Sequence, residues 1–120
     1  MMKKILIVDD DRGILLGLKT LLGNHWEILA APDAFFGIKI ARSQELDLLI
    51  VDLFMPGIDG VGMIHEIRSQ GVKTPIILIS ASQRLAAHAR GLGIQDYLPK
   101  PFEIEQLESL IEKLLGKPAA

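Results

Sequence analysis

The chain has 120 residues, with 13 lysines and arginines against 15 aspartates and glutamates, a formal net charge of −2. That length holds one domain, residues 1–120, and leaves no space for a second core. Hydrophobic residues make up 49% of the chain, which excludes a disordered tail; the absence of cysteine excludes a disulfide framework, and the slightly acidic balance argues against direct nucleic-acid binding.

The residue order adds expectations about location. The strongest unbroken apolar runs, 5–8, 48–51 and 76–79, are four residues each. A bilayer span needs about 20, so no membrane span is expected. The start, Lys3-Lys4 before Ile5, resembles a signal peptide, but Asp9-Asp10-Asp11 cuts its apolar stretch short. A cytoplasmic location is expected.

Short apolar runs alternate with amphipathic stretches. Residues 5–8 are rich in β-branched side chains and read as a strand buried on both faces. Ile14, Leu15, Leu18, Leu21 and Leu22 recur at helical spacing, and Gly23-Asn24 ends that helix. Residues 26–31 read as a strand, 34–42 as a helix, and 47–51 as a third strand stopped by Asp52 and a Pro56-Gly57 turn. A helix over about 59–68 ends near Gly71. Residues 75–79 form the fourth strand, 83–92 the fourth helix with Gly93 as its stop, and 96–98 a short fifth strand. Ile104, Leu107, Leu110, Ile111 and Leu114 give the last helix its apolar stripe, and 116–120 read as a loose tail. Five β-α units joined by crossovers predict an α/β fold, a doubly wound five-stranded parallel sheet with helices on both faces.

In such a sheet the site lies beyond the carboxyl ends of the strands. Strand one ends in Asp9-Asp10-Asp11, strand three in Asp52, strand four in Ser80, and strand five leads to Lys100. A single aspartate after a strand is commonly a turn former or helix cap, and Asp11 suits the cap of the first helix. Several together repel and raise one another's pKa unless a cation is present, and an all-oxygen set suits Mg²⁺. Lys100, held between Pro99 and Pro101, is suited to a phosphoryl group; Ser80 either caps the next helix or donates to an incoming oxyanion.

These residues carry a resemblance. The segments Ile5-Leu6-Ile7-Val8-Asp9-Asp10-Asp11, Asp52-Leu53-Phe54-Met55-Pro56-Gly57, Ile79-Ser80-Ala81 and Asp96-Tyr97-Leu98-Pro99-Lys100-Pro101-Phe102 resemble the receiver domain of bacterial two-component response regulators. The resemblance implies the flavodoxin-like (βα)5 fold with strand order 2-1-3-4-5. It implies that Asp52 accepts a phosphoryl group from a histidine kinase or phosphotransfer protein. It implies Mg²⁺ held by Asp10, Asp52 and the backbone carbonyl of Phe54, with Asp9 supporting the metal. Ser80 and Lys100 match the hydroxyl and ammonium that meet the phosphoryl oxygens. Tyr97 matches the aromatic residue that turns inward when Ser80 moves, and Ala81 the small residue that leaves the site open. Phe54 and Ser82 match positions that tune the phosphoryl lifetime. A cis Lys100-Pro101 bond, an output domain or downstream protein, and a homodimer through the last helices are further implications.

Other features are read more plainly. Leu16 looks exposed on the first helix, which carries Gly13 and Gly17; related proteins dock a kinase helical bundle there. The fourth helix, with Arg84, His88 and Arg90 beside small apolar residues, reads as loosely packed with a solvated basic face. His25, His65 and His88 are isolated, and Trp26 and Phe35-Phe36 are expected to pack. Two rival readings are a small phosphatase of the haloacid-dehalogenase type, which leaves Asp52 unexplained, and a degenerate receiver that only binds partners.

Overall fold

Residues 2–55 and 57–118 are described by a computed structural model. Pro56 of the expected turn and Ala119 and Ala120 of the expected tail lie outside the described residues, as does Met1. The elements follow in the order β1 (Lys4–Val8), α1 (Arg12–Leu22), β2 (Glu27–Ala31), α2 (Ala34–Ser43), β3 (Leu48–Asp52), α3 (Gly60–Ser69), β4 (Ile76–Ser80), α4 (Leu85–Leu92), β5 (Asp96–Pro99) and α5 (Ile104–Leu115). All strand pairs are parallel, in the order β2-β1-β3-β4-β5. The expected fold class and strand order are therefore observed.

Alternation along the strands explains why helices cover both faces. Leu6, Val8, Leu49, Val51 and Leu78 point to one side and pack with Met63, Ile64 and Ile67 of α3, Ala34 and Ala41 of α2, and Leu85 and Ala89 of α4. Ile5, Ile7, Leu48, Ile50, Ile77 and Ile79 point to the other, against Leu15, Leu18 and Leu22 of α1 and Leu107 and Ile111 of α5. Central strands buried on both sides need apolar residues at every position, which is why they read as unbroken runs. Among the described residues no helix is long and apolar enough to cross a membrane.

Helix ends follow side-chain chemistry. Asp11, Asp33 and Asp59 cap α1, α2 and α3 by accepting the N–H of Ile14, Phe36 and Gly62. Gly93 ends α4 in the left-handed conformation at φ 70°, the stop its sequence position predicts. Helix α4 begins at Leu85, two residues later than predicted. The reason is local: Ser80 Oγ accepts the Ser82 N–H at 3.0 Å and Ser82 Oγ accepts the Arg84 N–H at 3.0 Å. The Leu85 N–H also donates to the Ser82 carbonyl three residues back at 3.3 Å, so 82–85 form a tighter turn ahead of the helix. Ser80 is thus a turn former, not the cap of α4.

One expectation about packing is corrected. Trp26 is buried, but Phe35 and Phe36 stand exposed on the first turn of α2. That helix buries its small residues, Ala34, Gly37 and Ala41, so it lies close to the sheet and turns both phenylalanines outward.

Candidate functional site

The functional side chains are the last residues of strands or the first beyond them. Strand β3 runs to Asp52 and β4 to Ser80, one residue further than predicted in each case. Asp9 and Asp10 follow β1, the neighbour of β3. The register sets Val8 beside Val51 and Asp52 beside Ile79, so the chain ends converge. Asp9, Asp10 and Asp52 each offer a carboxylate oxygen, and the three lie within 4.8 Å of one another.

Lys100 joins this cluster from the other end of the chain. Its Nζ donates to Asp9 Oδ2 at 2.7 Å and to Asp52 Oδ2 at 3.2 Å. The Lys100 N–H donates to the Ser80 carbonyl at 2.8 Å, which ties the segment after β5 to the end of β4. The Lys100-Pro101 peptide bond is cis. The remaining carboxylate oxygens are held by backbone: Asp9 Oδ1 accepts the Asp11 N–H at 2.9 Å, and Asp52 Oδ1 accepts the Phe54 N–H at 3.3 Å. Asp9 and Ser80 are fully buried, Asp52 nearly so, and Asp10 is exposed.

The electrostatics follow from this crowding. Burial pushes the Asp52 carboxyl above the usual carboxylate range, and the Asp9 charge pushes it further; Lys100 and the Phe54 N–H oppose them. Burial alone would lower the Lys100 pKa, but the hydrogen bond and charge of Asp9, then Asp52, raise it above the ordinary lysine value. Three carboxylates against one ammonium leave a negative surplus. An all-oxygen set with one member open to solvent matches what Mg²⁺ accepts, since that ion keeps several waters and needs few protein ligands.

The structure brings together Asp9, Asp10, Asp52 and Lys100, with the buried Ser80 bound through its carbonyl to Lys100. It places Tyr97 apart from them, on β5 and 40% exposed, beside Ala86, Ala89 and Arg90 of α4. Phe54 is 48% exposed, and its ring meets His88 of α4 edge-on, with centroids 5.5 Å apart. Sequence reasoning missed this contact, because nothing in the spacing of His88 links it to Phe54. Beside Lys100, a groove of about 450 Å³ runs between α1 and the segment after β5, lined by Ile14, Gly17, Leu18, Leu21, Pro101 and Phe102.

Known proteins resemble this chain in sequence and in fold. The family model of the response regulator receiver domain matches residues 5–112. The transcriptional regulatory protein CiaR of Streptococcus pneumoniae is 34% identical over 118 residues, covering 97% of this chain and 53% of its own. The response regulator MprA of Mycobacterium avium is 35% identical over 117 residues, covering 95% of this chain and 51% of its own. The chain thus spans about half the length of the curated relatives it matches. Among solved structures, the response regulator TrrA of Thermotoga maritima in complex with Mg²⁺-BeF is 34% identical with a TM-score of 0.84, covering 95% of this chain and 100% of that one. The chemotaxis protein CheY4 of Vibrio cholerae is 28% identical with a TM-score of 0.86, covering 96% and 100%. With a family-model match over residues 5–112 and relatives 34% and 35% identical along nearly its whole length, the chain belongs to the response regulator receiver domain family.

Proposed function

We propose that this receiver is a phosphorylation-activated switch whose acceptor is Asp52. The observation that carries the reading is the Asp9–Lys100–Asp52 contact, in which one ammonium is shared by two buried carboxylates. Asp52 attacks the phosphorus of a phosphohistidine in line. The new O–P bond forms as the P–N bond breaks, and the donor imidazole leaves neutral, its proton already on the other nitrogen. Lys100 and the Phe54 N–H stabilise the ionised carboxylate that is the nucleophile. After transfer, Lys100 pairs with the added phosphoryl oxygens, and the Ser80 hydroxyl turns to donate to them. Catalysis here is positioning and charge neutralisation, which phosphoryl transfer chiefly needs.

Asp9, Asp10, Asp52 and the Phe54 carbonyl would hold Mg²⁺. When bound, the ion supplies positive charge to the transferring group. The fit rests on the three carboxylate oxygens within 4.8 Å and on their negative surplus. The ground-state contact of Ser80 Oγ with the Ser82 N–H is the one that switching gives up, and Tyr97, exposed before switching, takes the space that Ser80 leaves. Phe54 and Ser82 flank the phosphoryl group and set how fast water removes it.

The donor is a sensor histidine kinase or a phosphotransfer protein, which places the domain in the cytoplasm. The face that suits it is the apolar groove beside Lys100, in which Leu21 is 55% exposed. What the switch controls, an output domain, a separate protein or a second copy, is read through the α4-β5-α5 face.

Mg²⁺ with acetyl phosphate is expected to add one base-labile phosphoryl group, and Asp52→Asn to abolish it. Labelling that persists in Asp52→Asn and is lost in Asp9→Asn would favour the phosphatase instead. No labelling under any condition would favour a degenerate receiver.

A further inference from the structure

Phe54 follows Asp52 by two residues, and its N–H binds the Asp52 carboxylate at 3.3 Å. Its ring is half exposed on a loop, where a lone side chain samples many rotamers. Here the ring is braced. His88 meets it at 5.5 Å between centroids and 77° between planes, the edge-to-face arrangement that aromatic quadrupoles favour. His88 is itself well anchored. Its N–H donates to the Arg84 carbonyl, and its neighbours on α4, Leu85 and Ala89, are 3% and 1% exposed in the core. The pair therefore bridges the loop that leaves β3 and the helix that follows β4, strands that are adjacent in the sheet. It stands on the β4 side of Asp52, while Asp9 and Asp10 arrive from the β1 side.

We propose that His88 is a positioning residue that holds the Phe54 ring beside Asp52, so that it hinders water and lengthens the life of the phosphoryl group. The proposal rests on Asp52 being the acceptor. Loss of an acyl phosphate requires a water molecule to reach the phosphorus in line, and a ring carried by the residue whose N–H binds the Asp52 carboxylate restricts that approach when it is held in one place. A ring set free of His88 restricts it less. Because His88 belongs to α4, the phosphoryl lifetime becomes tied to where α4 sits.

The test is the decay rate of the labelled protein after the donor is removed, with melting temperatures measured alongside. His88→Ala is expected to take label at Asp52 and lose it about two- to ten-fold faster than wild type, the range an aromatic pair is worth. His88→Phe, which restores a ring edge, is expected to return the rate to within about two-fold of wild type by the same contact. Phe54→Ala combined with His88→Ala is expected to decay no faster than Phe54→Ala alone, because the two residues act through one contact. Decay of His88→Ala at or below the wild-type rate would overturn the proposal. So would effects of the two substitutions that multiply, or His88→Phe decaying as fast as His88→Ala. If His88→Ala melts early, His88→Leu, which fills the space without a ring, decides by the same criteria. Wild type that takes no label, or Asp52→Asn that still takes it, overturns the acceptor assignment and this inference with it.

Discussion

The Lys100 ammonium reaches 91 positions back along the chain to Asp9, at 2.7 Å, and the carboxylate it meets is fully buried. This pair spans the sheet from the segment after β5 to the end of β1. It places a cation against Asp52 as well, so one side chain offsets two buried charges.

Removing that cation leaves both carboxylates uncompensated. Lys100→Met is expected to lower the metal-free unfolding free energy by about 2–3 kcal/mol, less than a fully buried pair would cost because the ammonium is partly solvated. Urea unfolding checks this, and an unchanged midpoint would mean that the contact carries no stability.

Asp52 should behave in the opposite sense. Burial and the Asp9 charge hold its carboxyl above the usual carboxylate range, so the folded chain binds that proton more tightly than the unfolded chain does. Its ionisation therefore costs stability above the folded pKa, and the cost vanishes as pH falls through that value toward the unfolded one. Lys100, also raised, contributes stability that is complete below the ordinary lysine pKa and lost as pH rises through its folded value. At neutral pH without divalent cations, Asp52→Asn is expected to raise the melting temperature by roughly 2–6 °C. Calorimetry at neutral pH and again in the acidic range checks the sign, with the gain shrinking as the wild-type carboxyl protonates.

A cation that binds the folded chain stabilises it by mass action. Millimolar Mg²⁺ is expected to raise the wild-type melting temperature and to do so much less in Asp10→Asn. Asp10 is exposed and suits this comparison, since its loss leaves the core intact. An equal Mg²⁺ shift in both proteins would move the metal away from this cluster.

Two glycines separate close approach from local propensity. A Cβ at Gly60 would stand 2.3 Å from the Asp52 carbonyl oxygen and 2.8 Å from Leu53 Cα, backbone atoms that cannot yield. Gly60→Ala is expected to cost about 2 kcal/mol or more by overpacking, and to disturb Asp52 itself. At Gly17 a Cβ meets nothing within 4 Å, so Gly17→Ala is expected to stabilise α1 by about 1 kcal/mol. Paired denaturant titrations of the two variants check both signs.

Much of this was legible because strands buried on both faces leave unbroken apolar runs, and each run stopped at a residue of distinct chemistry. Asp52 and Ser80 could be placed at strand ends from that alone, and Asp11 as a cap from its position before the helical spacing. The Asp9–Lys100 pair was less legible. Sequence placed both at the same end of the sheet but could not say which carboxylate would take the shorter hydrogen bond. The outward turn of Phe35 and Phe36 was misread, since hydrophobicity says nothing about whether the small residues of α2 will take the inner face instead. The late start of α4 was hidden because the turn over 82–85, held by the Ser82 hydroxyl and carbonyl, departs from helix at only two residues. His88 gave no signal, because its meaning lies in a contact between α4 and the loop that carries Phe54.

The acceptor is identified by finding which residue is modified. Protein treated with acetyl phosphate and Mg²⁺, then reduced with borohydride, converts an aspartyl phosphate into homoserine, which peptide mass spectrometry locates. The expected result is a single modified position, Asp52, with Asp9, Asp10 and Asp11 untouched. Modification at Asp9 or elsewhere, with Asp52 unmodified, would rule out Asp52 as the acceptor.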